Sequence, residues 1–163
     1  MNFNEYCVLS ARTDNVDLTI EERVENYTFS LFEEIGEVTS LLKKAWWHGH
    51  TLDLDELIKE FGDVFWYLSQ LKRLLNVSFY EIPLHEFTRK ADKLRACMIE
   101  TGYFVHVGKQ DELNRVYWVV RKLMESFDIS FTMVLERNIT KLEKRYPEKF
   151  NTLDSIKRVD IVG

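Results

Sequence analysis

Two pairs of acidic residues at three-residue spacing are the feature of this sequence that could do chemistry. Glu34 and Glu37 fall in one predicted helix, and Glu60 and Asp63 fall in the next. Positions i and i+3 of a helix are neighbours, roughly 5–6 Å apart at Cβ, so each pair offers two carboxylates on one face. Four converging carboxylates without a basic partner repel one another unless hard cations such as Mg²⁺ hold them together. The spacing therefore predicts a divalent-cation site.

The second of two acidic patterns is the more informative one. EExxE alone is weak, because 27 of the 163 residues are acidic and the pattern occurs twice, at 21–25 and 33–37. The second occurrence is followed, after 22 intervening residues, by ExxD at the same edge of the next helix's apolar stripe. Glu33 lies nearly opposite the stripe on a helical wheel, so we expect it to face water.

Two long amphipathic helices are predicted to position these acids. Thr19–Glu22 has the form of a capping box and predicts where the first helix begins. Gly49 marks the loop that follows, and Asp53 or Asp55 is expected to cap the second helix, which ends near Asn76. Apolar residues at helical spacing predict a core-facing stripe on each. The stripes are Val24, Leu31, Ile35, Val38, Leu42 and Ala45, then Leu54, Leu57, Phe61, Val64, Phe65, Leu68, Leu71 and Leu75.

The rest of the chain is expected to be helical as well. Six Gly and two Pro are few, which favours long helices over a turn-rich β architecture. After Asn151 the weak alternation of apolar residues leaves a short strand and a disordered tail as alternatives. The predicted elements are a short helix over 4–12, a third long helix over 79–100 that starts at a capping box over 78–81 and meets Pro83, a loop over 101–110, and helices over 111–127 and 130–145, the last ended by Pro147.

Composition restricts the class of protein. The length suits one domain with a sizeable core. The net charge is −5 without a long basic run, which gives no electrostatic basis for binding nucleic acid. No apolar run approaches ~20 residues and the N-terminus lacks a signal-peptide pattern, so we expect no membrane association and a cytoplasmic protein. Cys7 and Cys97 are expected to be reduced, buried thiols, and His48 and His50 lack further ligands at zinc spacing.

An internal similarity links two parts of the chain at an offset of 52 residues. Residues 63–82 align with 115–134, matching Val64 to Val116, Trp66 to Trp118, Leu71 to Leu123, Ser78 to Ser130 and Phe79 to Phe131. Extended backwards, the alignment places Glu86 and Glu112 at the positions of Glu34 and Glu60, but Arg89 and Arg115 at those of Glu37 and Asp63. Residues 84–128 are therefore interpreted as a degenerate repeat of the helical hairpin or an insertion. A chance match of two amphipathic helices is the alternative.

Four segments around and beyond the acids resemble one known family. They are EIGEV at 34–38, LLKKAWWHGHTLD at 41–53, GDVFWYL at 62–68 and NITKLEKRYPEKF at 138–150. With EExxE followed by ExxD, they resemble the MazG-type, all-α nucleoside triphosphate pyrophosphohydrolases over roughly half of the chain, in the family's order. One departure is that about 45 extra residues separate the second acidic helix from the NxxKLxxRYP segment.

The resemblance implies an all-α bundle of four or five helices and a reaction. Residues 1–150 would form the pyrophosphohydrolase domain, with 151–163 as a C-terminal tail. The implied reaction is hydrolysis of a (d)NTP to the monophosphate and pyrophosphate, by attack of water at the α-phosphorus. The implied cofactor is Mg²⁺, with Mn²⁺ as a substitute. The expected ligands are Glu34, Glu37, Glu60 and Asp63, and one of them, or Glu33, would orient or deprotonate the attacking water.

Further residues are predicted to bind the substrate. By resemblance, Asn138 and Lys141 would reach the nucleotide, with Arg145 one turn further on. A solvated basic face near a helix C-terminus is the alternative for Lys141 and Arg145. Lys44 is a candidate for phosphate contact or an ordinary surface lysine. Trp47 and His48, with neighbouring Trp46, are candidates for stacking on the base, although one of two adjacent tryptophans usually packs in a core.

The long first helix also predicts a homo-oligomer, either a dimer or a dimer of dimers. Two other interpretations of function stay open. One is the same chemistry on a narrow substrate such as dUTP, dCTP, phosphoribosyl-ATP or an alarmone. The other is a non-catalytic helical interaction protein that has kept the fold.

Overall fold

Helices make up the regular structure of residues 1–83 and 88–157, which are the residues that the computed structural model describes. No strand occurs within these ranges, so the expected all-α class is confirmed. A short 3₁₀ turn, Ala11–Thr13, follows the first helix. The helices are α1 (Phe3–Ser10), α2 (Ile20–Trp47), α3 (Leu54–Leu74), α4 (Lys90–Val107), α5 (Gln110–Glu125), α6 (Phe131–Arg145) and α7 (Thr152–Lys157).

Both α2 and α3 begin at the residues that the sequence predicts. The Thr19 hydroxyl accepts from the Glu22 N–H at 3.2 Å, and the Glu22 carboxylate accepts from the Thr19 N–H at 2.8 Å, which closes the predicted capping box. Asp53, rather than Asp55, caps α3 by accepting from the Glu56 N–H at 3.1 Å. Helix α2 is 28 residues long, so both of its acids lie well inside regular helix.

The core lies between the two long helices and the later ones that pack on them. Helix α2 packs against α3 and α4, α4 packs against α5, and α1 and α6 both pack against α3. Aromatic rings join these layers, because Phe3 of α1 lies 4.9 Å from Tyr117 between ring centroids and Phe65 lies 4.9 Å from Phe131. The predicted stripes supply the centre of this core, where Leu31, Ile35, Val38, Leu42, Leu57, Phe61, Val64, Phe65, Leu68 and Leu71 are buried.

The segment before α2 is held by a buried ion-pair network. The Asp14 carboxylate accepts from Arg23 at 2.5 Å, from Arg73 at 2.7 Å and from the Tyr27 hydroxyl at 2.7 Å. The Asp14 side chain is only 1% exposed. This network joins the residue that follows the 3₁₀ turn to α2 and α3, so the N-terminal segment is part of the folded domain.

Two predictions for the middle of the chain are wrong. The third long helix does not run over 79–100; it begins at Lys90 and continues through the predicted 101–110 loop to Val107. The predicted capping box over 78–81 starts no helix, because Tyr80 is bonded to α5: its N–H donates to Asn114 Oδ1 at 3.2 Å and its carbonyl accepts from Trp118 Nε1 at 2.6 Å. Gly108, at φ +65°, supplies the left-handed residue that ends α4.

The tail is helical where it is described. Residues 152–157 form α7, so neither a strand nor a disordered tail is found there. Val159 and Ile161, on which the strand alternative rested, lie outside the described residues, as does Glu86 of the internal similarity. In the described part of the chain, no helix combines the length and the apolar character needed to cross a membrane.

Candidate metal centre

Three of the predicted acids come together between α2 and α3. Glu34 of α2 and Glu60 and Asp63 of α3 each offer a carboxylate oxygen, and these atoms all lie within 4.8 Å of one another. Glu60 is buried, whereas Glu34 and Asp63 are half-buried. Three oxygen donors at this separation are a set that a hard divalent cation could draw together.

Two lysines lie against the acids, which the sequence argument did not anticipate. Lys141 of α6 donates to both Asp63 oxygens, at 2.7 and 2.5 Å. Lys59 donates to Glu60 at 3.2 Å and to Glu56 at 2.6 Å. The assumption that the carboxylates have no basic partner is therefore wrong for Asp63 and Glu60.

This arrangement strongly affects the pKa of Glu34. Burial raises the pKa of Glu34 to about 8, with further contributions from the charges of Asp63 and Glu60, while Lys141 opposes the shift. Burial also raises the pKa of Glu60, followed by its hydrogen bond with Glu56, and Lys59 acts in the opposite direction. Without another cation, the site therefore favours a protonated Glu34 at neutral pH.

Two hydrogen bonds in series link Asp63 to Asn138 and Asn138 to Tyr6. Asn138 of α6 donates from Nδ2 to Asp63 Oδ1 at 3.1 Å, and its Oδ1 accepts from the Tyr6 hydroxyl at 2.6 Å. Asn138 lies directly over Gly62, where an added Cβ would come within 2.9 Å of Nδ2. Glycine at position 62 thus lets α6 approach α3 closely enough for this bond.

Two cavities lie near the acids: one is lined by the lysines that pair with Glu60 and Asp63, and the other by Glu34 and Asp63 themselves. The first, which we call the lysine cavity, encloses about 350 Å³. The second, the aromatic cavity, encloses about 320 Å³ and is bordered by Glu34 and Asp63. The lysine cavity is lined by Asp55, Glu56, Ile58, Lys59, Gly62, Arg137, Asn138 and Lys141. The aromatic cavity also includes Thr13, Asn15, Leu18, Asn26, Tyr27, Trp66, Tyr67, Leu142, Arg145, Tyr146, Phe150 and Ser155.

The remaining predicted acids lie on the outer surface of α2. Glu33 is exposed, as the helical wheel predicts. Glu37 is exposed as well and is not in the converging group of Glu34, Glu60 and Asp63. Its role as a ligand remains a prediction.

The candidate base and phosphate residues near the end of α2 are apart from the acids. Trp47 is 65% exposed, Lys44 and His48 are exposed, and His48 forms the C-terminal boundary of α2. Lys44 follows Glu34 by ten residues, or ~15 Å of helix. Trp46 packs on the core in a stacked contact with Phe127. In contrast, Asn138 and Lys141 border the lysine cavity and Arg145 borders the aromatic cavity, so this face of α6 lies at the site.

Sequence reasoning missed several groups at this centre. Tyr6 lies in the short helix predicted over 4–12, which contains no motif, and Lys59 belongs to no motif either. Trp66 and Tyr67 pack against the core and also line the aromatic cavity. For Tyr67 the one available signal was its place one turn beyond Asp63, which puts it on the same face of α3.

Comparison with protein-family models, curated proteins and solved structures returned no match for this chain. The motif resemblance and the geometry of the site therefore stand on their own as the basis for a function.

Proposed function

We propose that this chain is a MazG-like pyrophosphohydrolase that cleaves a nucleoside triphosphate into the monophosphate and pyrophosphate. The observation that carries the proposal is the convergence of Glu34, Glu60 and Asp63, with ligand atoms within 4.8 Å, at the border of the aromatic cavity. The order of the four motif segments along the chain supports the same family.

The donor set fits Mg²⁺, or Mn²⁺ in its place. Mg²⁺ binds oxygen ligands, usually one or two carboxylates together with water and substrate phosphates. The raised pKa of Glu34 fits too, because a cation would relieve the repulsion among these carboxylates. When bound, such an ion neutralises phosphate charge and lowers the pKa of a coordinated water. Glu34, Glu60 and Asp63 would hold it, and Glu37 is proposed as a further ligand.

The two cavities suggest how the substrate would lie. Lys59, Arg137 and Lys141 border the lysine cavity, which suits the charged polyphosphate. Tyr27, Trp66, Tyr67, Tyr146 and Phe150 border the aromatic cavity, which suits a flat base. Glu34 and Asp63 border the aromatic cavity, and Lys141, which pairs with Asp63, borders the lysine cavity. The α-phosphorus would therefore be held next to the carboxylates, with the leaving pyrophosphate on the lysine side.

The test is pyrophosphate release from the eight common (d)NTPs and dUTP with Mg²⁺. Wild type should produce the monophosphate, and Glu34→Gln, Glu60→Gln and Asp63→Asn should each lower turnover by at least about 100-fold, because each removes an anionic donor. Glu37→Gln tests whether the exposed acid takes part.

Glu112→Gln is the matched control, since Glu112 occupies the position of Glu60 in the internal similarity and lies on α5. It should leave turnover unchanged. Activity on one nucleotide only would assign a narrow substrate. No turnover on the panel, phosphoribosyl-ATP or alarmones, together with no Mg²⁺ binding, would rule out this function and favour a non-catalytic interaction protein.

A further inference from the structure

Tyr6 has a buried hydroxyl group that extends from the N-terminal helix towards the metal centre. It lies on α1, it is 0% exposed, and its oxygen is 2.6 Å from Asn138 Oδ1. Tyr6 is one side chain removed from the acids, because Asn138 stands between it and Asp63. Its bond spans 132 residues of sequence, so it joins the two ends of the domain at this centre.

The direction of each bond in this chain follows from Asp63. A carboxylate paired with Lys141 only accepts hydrogen bonds, so the Asn138 amide must turn its Nδ2 group towards Asp63. Asn138 Oδ1 then faces Tyr6, and the tyrosine hydroxyl must donate. Burial and the charge of Asp63 hold the pKa of Tyr6 well above its ordinary value, so the hydroxyl keeps the proton that it donates.

The packing around Asn138 leaves this amide little freedom. Asn138 is 3% exposed, and the absent Cβ of Gly62 leaves the space that its side chain fills. Without the Tyr6 hydroxyl, a buried carbonyl oxygen would have no donor at this position, and a rotated amide would turn that oxygen towards the Asp63 carboxylate. Loss of one hydroxyl therefore acts on the orientation of a cation ligand.

We propose that Tyr6 is a positioning residue of the metal centre: by fixing the Asn138 amide, it holds Asp63 in the orientation that binds the divalent cation. This inference rests on the proposed function only in that it takes the acids as cation ligands. It does not depend on which nucleotide is cleaved, or on whether one is.

The test compares Tyr6→Phe with Tyr117→Phe. Tyr117 is also buried, and its hydroxyl accepts from Arg121 at 3.1 Å, away from Asn138. Affinity for Mn²⁺ alone, measured from the electron paramagnetic resonance signal of the free ion, should fall about 10-fold in Tyr6→Phe, as for other groups that orient ligands. Tyr117→Phe should bind Mn²⁺ like wild type, even though both variants lose a buried hydroxyl.

A second measurement is independent of the cation. The side-chain amide resonances of Asn138 should shift and exchange faster with solvent in Tyr6→Phe, and should stay unchanged in Tyr117→Phe. If Tyr6→Phe does not fold, Gly62→Ala is the second variant with which the Asn138 amide can be displaced. Its new methyl would lie 2.9 Å from Asn138 Nδ2, so it should displace the amide and weaken Mn²⁺ binding about as much while leaving Tyr6 in place.

The outcomes separate this inference from the proposed reaction. Unchanged Mn²⁺ affinity in Tyr6→Phe would overturn the positioning role, whatever happens to thermal stability. If Tyr6→Phe does not fold, unchanged affinity in Gly62→Ala would overturn it. Wild type that binds Mn²⁺ but cleaves no nucleotide, with weaker binding in Tyr6→Phe, would refute the reaction and support the role of Tyr6. Wild type that binds no Mn²⁺ would overturn both.

Discussion

Glu34 holds a carboxyl group in surroundings that oppose its charge. Burial and the neighbouring acids raise its pKa from 4.5 to about 8, although Lys141 lies close enough to lower it. The folded protein therefore binds more protons at this position than the unfolded chain between these two values. The free energy of unfolding contributed by Glu34 falls as pH rises through that window.

The raised pKa of Glu34 predicts opposite pH dependences for the stability of the fold and for cation binding. Mn²⁺ needs the ionised carboxylate, so its affinity for wild type should rise by up to about tenfold per pH unit from pH 6 and level off above the Glu34 pKa of about 8. Titration with Mn²⁺ at several pH values measures this slope. A flat affinity across the same range would contradict the assignment of Glu34 as a ligand.

The effect of Glu34 on stability can be measured in the absence of metal with Glu34→Gln. The neutral amide removes the cost of ionisation, so the variant should melt higher than wild type above pH 7, with a smaller difference near pH 5. Added Mn²⁺ should raise the melting temperature of wild type only. Glu112→Gln is the control and should show no pH-dependent gain, because α5 carries no part of the acidic group.

At the scale of elements, the N-terminal segment depends on Asp14. Its carboxylate is buried and compensates two arginines, and removal of one partner from a buried network leaves uncompensated charge. Asp14→Ala should lower the free energy of unfolding by about 3 kcal/mol in urea denaturation. Asp92→Ala, which removes an acid paired with Arg89 and Arg95 on the surface of α4, should change it little. Equal effects of the two substitutions would contradict the importance of burial.

The ends of α3 and α5 carry a second element-scale prediction. Asn76 has φ 53° and Asp128 has φ 59°, a left-handed conformation that costs side chains other than glycine roughly 1–2 kcal/mol. Alanine at either position should therefore be about 1 kcal/mol less stable than glycine. Gly36, inside α2 with open space around it, should show the reverse order, since alanine favours a helix there by about 1 kcal/mol. Urea denaturation of the three Ala/Gly pairs checks both signs.

The two acidic helices were predictable because their signals are local. Capping at Thr19 and the apolar stripes depend on residues within a few turns, and the structure has both as expected except at Leu54, which is 49% exposed. The start of α4 was not predictable in this way, because Asn114 and Trp118 of a later helix take the hydrogen bonds of Tyr80. Tyr6 bonds Asn138 and Lys141 bonds Asp63 across long stretches of sequence, so neither contact has a local signature.

At the scale of the whole molecule, two helical hairpins, α2–α3 and α4–α5, are each followed by a residue with the same left-handed backbone conformation. Asn76 and Asp128 are 52 residues apart, the offset of the internal similarity, and both are left-handed. Arg115, at the position of Asp63, bonds both oxygens of Glu100 at 2.9 and 2.8 Å. The paired turns support the repeat hypothesis, and Arg115 places a guanidinium group in the second hairpin where the first has a carboxylate.

The predicted homo-oligomer has a direct test. Phe29 and Phe32 are 59% and 49% exposed on α2, and Phe32 lies against Gly102 of α4, next to exposed Tyr103. Burial of such a surface between copies should give a solution mass above that of one chain by light scattering, and Phe32→Glu should lower it. Ile156→Glu, at an exposed apolar position of α7, is the control that should leave the mass unchanged. A wild-type mass of one chain would refute the oligomer.

In the proposed metal centre, the Lys141–Asp63 pair would also affect which ions can bind. The ammonium group occupies both carboxylate oxygens and is tethered to α6, so its effective concentration at Asp63 is high at any salt concentration. An incoming ion must compete with this resident group. Singly charged ions gain too little from the acids to displace it, whereas a small divalent ion gains more. In the proposed centre, Lys141 would thus compete with every incoming cation and set a minimum charge density for binding.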